Sequence, residues 1–189
     1  MFRRHGLKAI TVAALAALTF IAMGESAAHA ATQPFAVQAR EAGLSIDQAA
    51  RLQTDVVANL AAIGGTQVSA NEILYPNGGA RLVLALPGQR THGLSQARTD
   101  EPPNWACGFY TFCAFQYQNY DFNGAIIEMY YCGYYWIPWV GTGSWVNKQT
   151  DGTRAFIYFT DGTIWYTTDG AYSWNNNQNW TPVGNVKNC

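Results

Sequence analysis

The distribution of histidine restricts the chemistry that this chain of 189 residues can perform. It contains three histidines, and His92 is the last of them. Serine and cysteine nucleophiles are commonly activated by a neighbouring histidine. The chain beyond His92 therefore cannot build a Ser-His-Asp or Cys-His site, and we predict that the protein is not an enzyme.

The acidic residues of the second half offer little else for catalysis, although a glycosidase needs two carboxylates across a cleft. Beyond residue 104 they are Asp121, Glu128, Asp151, Asp161 and Asp169. The last three stand in Asp-Gly dipeptides, which turn geometry explains. Asp121 and Glu128 remain a possible pair, but two solvated carboxylates are the favoured interpretation. The net charge of −1 gives no indication of binding to nucleic acid or to an anionic membrane.

The four cysteines are the other reactive side chains, and all lie in the second half: Cys107, Cys113, Cys132 and Cys189. An even number in a secreted chain indicates disulfides. Three pairings are possible. We favour Cys107–Cys113, which would staple one turn, together with Cys132–Cys189, which would tie down the C-terminus. The spacings match no zinc motif, and we predict neither a metal nor a cofactor.

Secretion is expected from residues 1–30, which have the form of a signal peptide. Arg3, Arg4 and Lys8 precede an apolar stretch that is too short for a confident membrane span. Ala28-His29-Ala30 matches a cleavage site, so the mature protein would begin at Ala31 and would lie outside the cell without a membrane anchor.

Residues 31–86 are expected to form a small helix–hairpin unit, either accessory or a pro-segment. Ser45 and Gln48 form a capping box, and Gly64-Gly65 ends the helix. Strands over 67–75 and 80–86 would follow, joined by the turn at 76–79. Residues 87–104 are polar and contain glycine and proline, which predicts a linker.

Residues 105–189 carry the alternation and turns of an all-β domain. The Asp-Gly turns separate expected strands at 154–160, 163–168 and 171–174, and 175–179 is expected to be a polar loop. In the corner before the second strand of the opening hairpin, Gly124 is expected to take a positive φ under the Tyr117 ring.

Aromatic residues are the strongest remaining signal, because all seven tryptophans lie from Trp105 onward. The run from Tyr130 to Trp139 is too dense for every ring to point inward. Exposed rings can contact sugars or anchor a protein interface. The candidate binding surface is Tyr134, Tyr135, Trp136 and Trp139.

The stretch CGFYTFCAFQYQNYDFNG resembles the opening Greek-key motif of βγ-crystallin-like domains. More closely, it is similar to secreted actinobacterial peptidase inhibitors of the Streptomyces metalloproteinase inhibitor type. The matching positions are Cys107, Cys113, Tyr117, Phe122 and Gly124, with Ser144 as the later serine of the motif. The resemblance implies a mainly β, βγ-crystallin-like Greek-key sandwich over 105–189. Trp139 and Val140 occupy the positions where such domains place calcium ligands, so a standard calcium site is not expected.

The resemblance implies a non-enzymatic metalloproteinase inhibitor that occludes the cleft of an extracellular protease with a disulfide-braced loop. One alternative is a cell-wall or polysaccharide-binding module that uses exposed Trp and Tyr. Another is a βγ-crystallin-like toxin or stress protein. A projecting braced loop would favour a protease as the partner, whereas a flat row of exposed rings would favour a polysaccharide.

Overall fold

The computed structural model describes residues 35–88, 107–120 and 123–189, with the side chain of Tyr120 excepted. The expected signal peptide, nearly all of the expected linker, and the pair Asp121-Phe122 lie outside these ranges. No helix within them is long and apolar enough to cross a membrane. The described residues all belong to one compact unit.

Two helices open the described chain: α1 at residues 35–41 and α2 at Ile46–Ile63. The predicted capping box is confirmed, because the Ser45 side chain accepts from the Gln48 N–H and the Gln48 side chain accepts from the Ser45 N–H. Gly64 caps the other end of α2 at a positive φ, as expected for a residue that stops a helix. Leu52 and Val56 are fully buried on the apolar stripe.

The rest of the described chain is mainly β, in two antiparallel sheets. Their strands are β1 Thr66–Gln67, β2 Glu72–Leu74, β3 Ala80–Val83, β4 Phe112–Phe115, β5 Ile126–Met129, β6 Tyr134–Trp136, β7 Thr142–Asn147, β8 Phe156–Phe159, β9 Ile164–Thr167, β10 Ser173–Asn179 and β11 Val183–Lys187. The larger sheet has the order β1-β2-β3-β5-β4-β7-β10, and the smaller has the order β6-β11-β8-β9.

The hairpin of β2 and β3, from the first half of the chain, is part of the larger sheet, since β3 pairs with β5. The expected single strand over 67–75 is wrong, because the chain bends between β1 and β2 and the two pair with each other. Asn71 holds this bend. Its side chain is fully buried and donates to the Leu84 carbonyl at 2.7 Å.

The two sheets exchange strands with each other. β4, β5 and β7 lie side by side with β10, whereas β8, β9 and β11 lie side by side with β6. In chain order these strands form two sets of four, β4–β7 and β8–β11. The third strand of each set, β6 or β10, therefore belongs to the opposite sheet. One continuous core fills the interior, and its largest buried side chains include Phe112, Tyr135, Ile157, Ile127 and Leu52.

The expected polar loop at 175–179 is also wrong, because these residues continue strand β10 along β7. β10 is an edge strand, and an edge tolerates polar side chains that face solvent. A bulge between Asn175 and Gln178 turns Gln178 inward, where its side-chain oxygen accepts from the indole N–H of Trp145.

The structure confirms the favoured disulfide pairing, Cys107–Cys113 and Cys132–Cys189. Cys107 and Cys113 are buried in a small second cluster with Phe115, Ile126 and Val146. This cluster lies on the outer face of the larger sheet, since the residues between these positions along β4, β5 and β7 face the main core. The second disulfide fastens the segment after β11 to the segment before β6.

Removing the two disulfides should have unequal effects on stability. The cysteines are 6 residues apart in Cys107–Cys113 and 57 apart in Cys132–Cys189. Loop-closure entropy then predicts a loss of about 2 kcal/mol for the double Cys→Ala change at the first pair and about 4 kcal/mol at the second. Urea unfolding of both variants measures the difference. Equal losses would show that local packing, rather than chain entropy, decides the contribution of each disulfide.

Candidate functional site

The outer face of the smaller sheet carries part of the candidate surface. Strand β6 alternates, with Tyr134 58% and Trp136 40% exposed and Tyr135 between them fully buried. Alternate residues of a strand point to opposite faces of the sheet. The structure therefore brings Tyr134 and Trp136 to the surface together.

Including Tyr135 and Trp139 in that surface was wrong. Tyr135 lies in a cross-strand row with the buried Val186 and Ile157. Its hydroxyl donates to the Tyr131 carbonyl at 2.7 Å, and burial raises its pKa. The alternation continues beyond β6, so Trp139 also points inward and is only 7% exposed.

Three residues that the sequence did not single out complete this surface: Phe156, Tyr158 and Lys187. Phe156 and Tyr158 flank the inward-facing Ile157 on β8, and Lys187 lies opposite both Tyr134 and Phe156. Residues 156–159 are all apolar or aromatic and Lys187 lies far from them in the sequence, so no alternation in the sequence indicated this grouping. We call Tyr134, Trp136, Phe156, Tyr158 and Lys187 the aromatic face.

Contacts among these side chains hold the aromatic face together. The Tyr134 and Tyr158 ring centroids are 5.4 Å apart, and their hydroxyl oxygens are 3.5 Å apart. This hydrogen bond raises the pKa of Tyr158. The Lys187 ammonium lies 5.8 Å from the Tyr134 ring centroid and 5.7 Å from that of Phe156, within the range of cation–π attraction.

The Greek-key positions Tyr117, Gly124 and Ser144 also converge, whereas Phe122 lies outside the described residues. The Ser144 hydroxyl donates to the Tyr117 carbonyl at 2.9 Å. Gly124 is needed for close approach, because a Cβ there would come within 2.7 Å of the Tyr117 ring. The expectation of a positive φ at Gly124 was wrong, since the left-handed glycines do not include it.

The turn closed by Cys107–Cys113, which we call the braced loop, exposes two neighbouring rings. Phe109 is 68% and Tyr110 72% exposed. Tyr110 adopts a φ of 65°, a conformation that is rare and costly for a bulky residue. The loop is held by a hydrogen bond from the Tyr110 N–H to the Lys148 carbonyl at 2.8 Å and by another from Thr111 Oγ1 to the Gly108 carbonyl at 2.5 Å.

A second tyrosine occupies a matching position on the other side of β7. Tyr172 has a φ of 64°, is 58% exposed, and donates its N–H to the Asn147 carbonyl at 2.8 Å. The Ser173 hydroxyl donates back to the Asp169 carbonyl, much as Thr111 does in the braced loop. Residues 108–112 and 170–174 share the pattern Gly-x-Tyr-(Ser/Thr)-aromatic, a repeat that neither periodicity nor turn signals had indicated.

Two of the candidate acidic residues, Glu128 and Asp161, have structural partners. Glu128 accepts from the Arg81 side chain at 2.6 Å. Asp161 accepts from the backbone and hydroxyl of Thr163, and these hydrogen bonds lower its pKa. No group of three or more His, Cys, Asp or Glu that could hold a metal ion occurs in the described ranges. Asp121 lies outside them.

Comparisons of the chain with protein-family models, with curated proteins and with solved structures gave no match. The contacts of the aromatic face and of the braced loop are therefore the basis for any assignment of function.

Tyr110 and Tyr172, the two tyrosines with a positive φ, should prove unnecessary for stability. Asn tolerates a positive φ better than Tyr, so Tyr172→Asn should leave the free energy of unfolding unchanged or raise it by up to about 1 kcal/mol. Tyr134→Asn is the matched control, because Tyr134 is equally exposed but lies in a strand with ring contacts, and it should lose about 1 kcal/mol. Urea unfolding compares them. Equal losses in the two variants would mean that the Tyr172 ring itself stabilises the fold.

Proposed function

We propose that the protein is a secreted, non-enzymatic binding protein whose aromatic face binds a polysaccharide. The observation that carries the proposal is the collection of four rings on the outer face of the smaller sheet, where Tyr134 and Trp136 are well exposed. The expected signal peptide and the two disulfides support secretion, because disulfides persist in oxidising compartments.

The physical basis is the low cost of ordering these rings. Phe, Tyr and Trp offer large apolar faces with few rotatable bonds. The ring contact between Tyr134 and Tyr158 restricts them further, so less conformational entropy is lost on binding. Rings on β6 and β8 stand on either side of β11, so the face extends about 10 Å across the strands. Such a surface suits the apolar side of a sugar chain.

We also propose that residues 105–189 form a βγ-crystallin-like pair of Greek keys related to the secreted peptidase inhibitors. In a Greek key the fourth strand lies beside the first. In support, β7 lies beside β4 and β11 lies beside β8, while the third strand of each set belongs to the other sheet. The contacts of Tyr117 with Gly124 and Ser144 add to this support.

Polysaccharide binding should depend on Trp136. The protein from Ala31 onward would be incubated with insoluble cellulose, chitin and bacterial cell-wall preparations, and the bound fraction measured. Trp136→Ala should weaken binding about fivefold or more, since a ring contact of this kind contributes about 1 kcal/mol or more. Trp174→Ala is the control, because Trp174 is more exposed than Trp136 but stands on the larger sheet. If both substitutions weaken binding alike, the aromatic face is not the site.

The second candidate function is metalloproteinase inhibition by the braced loop. It is favoured by one observation: a disulfide and two hydrogen bonds fix a short turn from which Phe109 and Tyr110 project. A preordered loop loses little entropy when it enters a cleft. Because the backbone of this loop is folded back on itself, it would occlude a protease through its side chains rather than lie along the cleft as an extended strand.

Inhibition of a thermolysin-like metalloproteinase would test this second function. If the braced loop acts, the double change Phe109→Ala and Tyr110→Ala should raise the inhibition constant at least tenfold, as expected for interface anchors. The double change Tyr134→Ala and Trp136→Ala should leave it unaltered. Absence of inhibition by the unaltered protein at micromolar concentration would exclude the function for this class of protease.

A further inference from the structure

Lys187 carries the only charge on the strands of the smaller sheet. The described strands β6, β8, β9 and β11 contain no aspartate or glutamate, and Lys187 is their one charged residue. Among the described residues, the ion pairs all involve Arg81, on the larger sheet. The positive charge of the aromatic face is therefore not neutralised by a carboxylate at salt-bridge distance.

The position of this charge is fixed by the rings around it. Lys187 projects from β11, the strand between β6 and β8, and its ammonium lies within 6 Å of two ring centroids on those strands. Two weak cation–π contacts hold the ammonium at the centre of the row formed by Tyr134, Lys187 and Phe156. A ligand that covers these rings must also cover the ammonium.

No carboxylate of the described residues lies at salt-bridge distance from Lys187. Asp161, at the tip of the β8–β9 hairpin, has a carboxylate oxygen engaged by the backbone and hydroxyl of Thr163. At the start of β8, the exposed Arg154 adds a second positive charge close to Phe156 in the sequence. A neutral polymer would shield Lys187 from water without providing a counter-charge, which is unfavourable.

We propose that the aromatic face prefers polysaccharides with carboxylated sugar units, and that Lys187 determines this preference by pairing with the carboxylate. This inference rests on the proposed function of the same face. The rings bind the sugar plane, whatever its charge, and the ammonium distinguishes the acidic polymer from the neutral one. An ion pair between the rings adds selectivity to an interaction that the rings provide.

The test compares polygalacturonate with its fully methyl-esterified form, which has the same backbone without the charge. Affinity electrophoresis with the protein from Ala31 onward measures both, with a chelator present to exclude bridging cations. The unaltered protein should bind the acidic polymer about fivefold more tightly at low salt. This ratio should fall towards one at about 0.5 M salt, where exposed charges are screened.

Two substitutions separate charge from packing at this position. Lys187→Gln should abolish the preference, so that the two polymers are bound about equally, because the ammonium that pairs with the carboxylate is lost. Lys187→Arg keeps the charge and the cation–π contacts and should retain the preference.

The possible results separate this inference from the proposed function. Equal affinity for the two polymers, or a preference that survives in Lys187→Gln, overturns the inference alone, because the rings would still bind a polysaccharide. If the protein binds none of these polymers, soluble or insoluble, both the inference and the proposed function are overturned. A preference that is lost in Lys187→Gln and kept in Lys187→Arg supports both.

Discussion

The relative position of the two sheets depends on the burial of one indole. Trp180 is fully buried where the chain leaves β10 in the larger sheet and enters β11 in the smaller one. Its ring N–H donates to the Phe115 carbonyl at 2.9 Å, and its own backbone N–H donates to the Gly141 carbonyl at 2.7 Å. A Cβ at Gly143 would collide with the indole and with the Phe115 and Gln116 carbonyls, so only glycine permits this approach.

Fixing the sheets in this way separates the two candidate sites. The cysteines of the braced loop lie on the outer face of the larger sheet, whereas the aromatic face is the outer face of the smaller one. The inner faces share one core. Because the sheets pack through their inner faces, a ligand on one outer face leaves the other accessible, and the two proposed functions do not exclude each other structurally.

Local sequence patterns predicted the features that depend on neighbouring residues. The capping box at Ser45, the end of α2 at Gly64 and the inward stripe with Leu52 follow from helix geometry alone. Features that depend on distant partners were not predictable in this way. Tyr135 and Trp139 looked like surface aromatics within a dense run, and only the register of β6 against β11 shows that odd-numbered residues there point inward.

The same limit applies to residues 175–179 and to the aromatic face. A run of Asn and Gln indicates a loop when it is considered alone, but pairing with β7 and the burial of Gln178 beside Trp145 make it a strand. Phe156, Tyr158 and Lys187 come from strands far from Tyr134 in the sequence, so no local pattern could group them. The exchange of β6 for β10 between the sheets is what brings β6 next to β11.

Tyr110 and Tyr172 have a positive φ, and the packing of the fold does not explain this backbone strain. Tyr110 and Tyr172 flank the end of β7. Their N–H groups donate to the carbonyls of Lys148, which follows β7, and of Asn147, its last residue. Strained and exposed residues of this kind are more often retained for binding than for stability. The aromatic face has no such strain among its five residues. The aromatic face is a rigid surface on regular strands. Tyr110 and Tyr172 instead project separately from loops, so the two surfaces suit ligands of different shape.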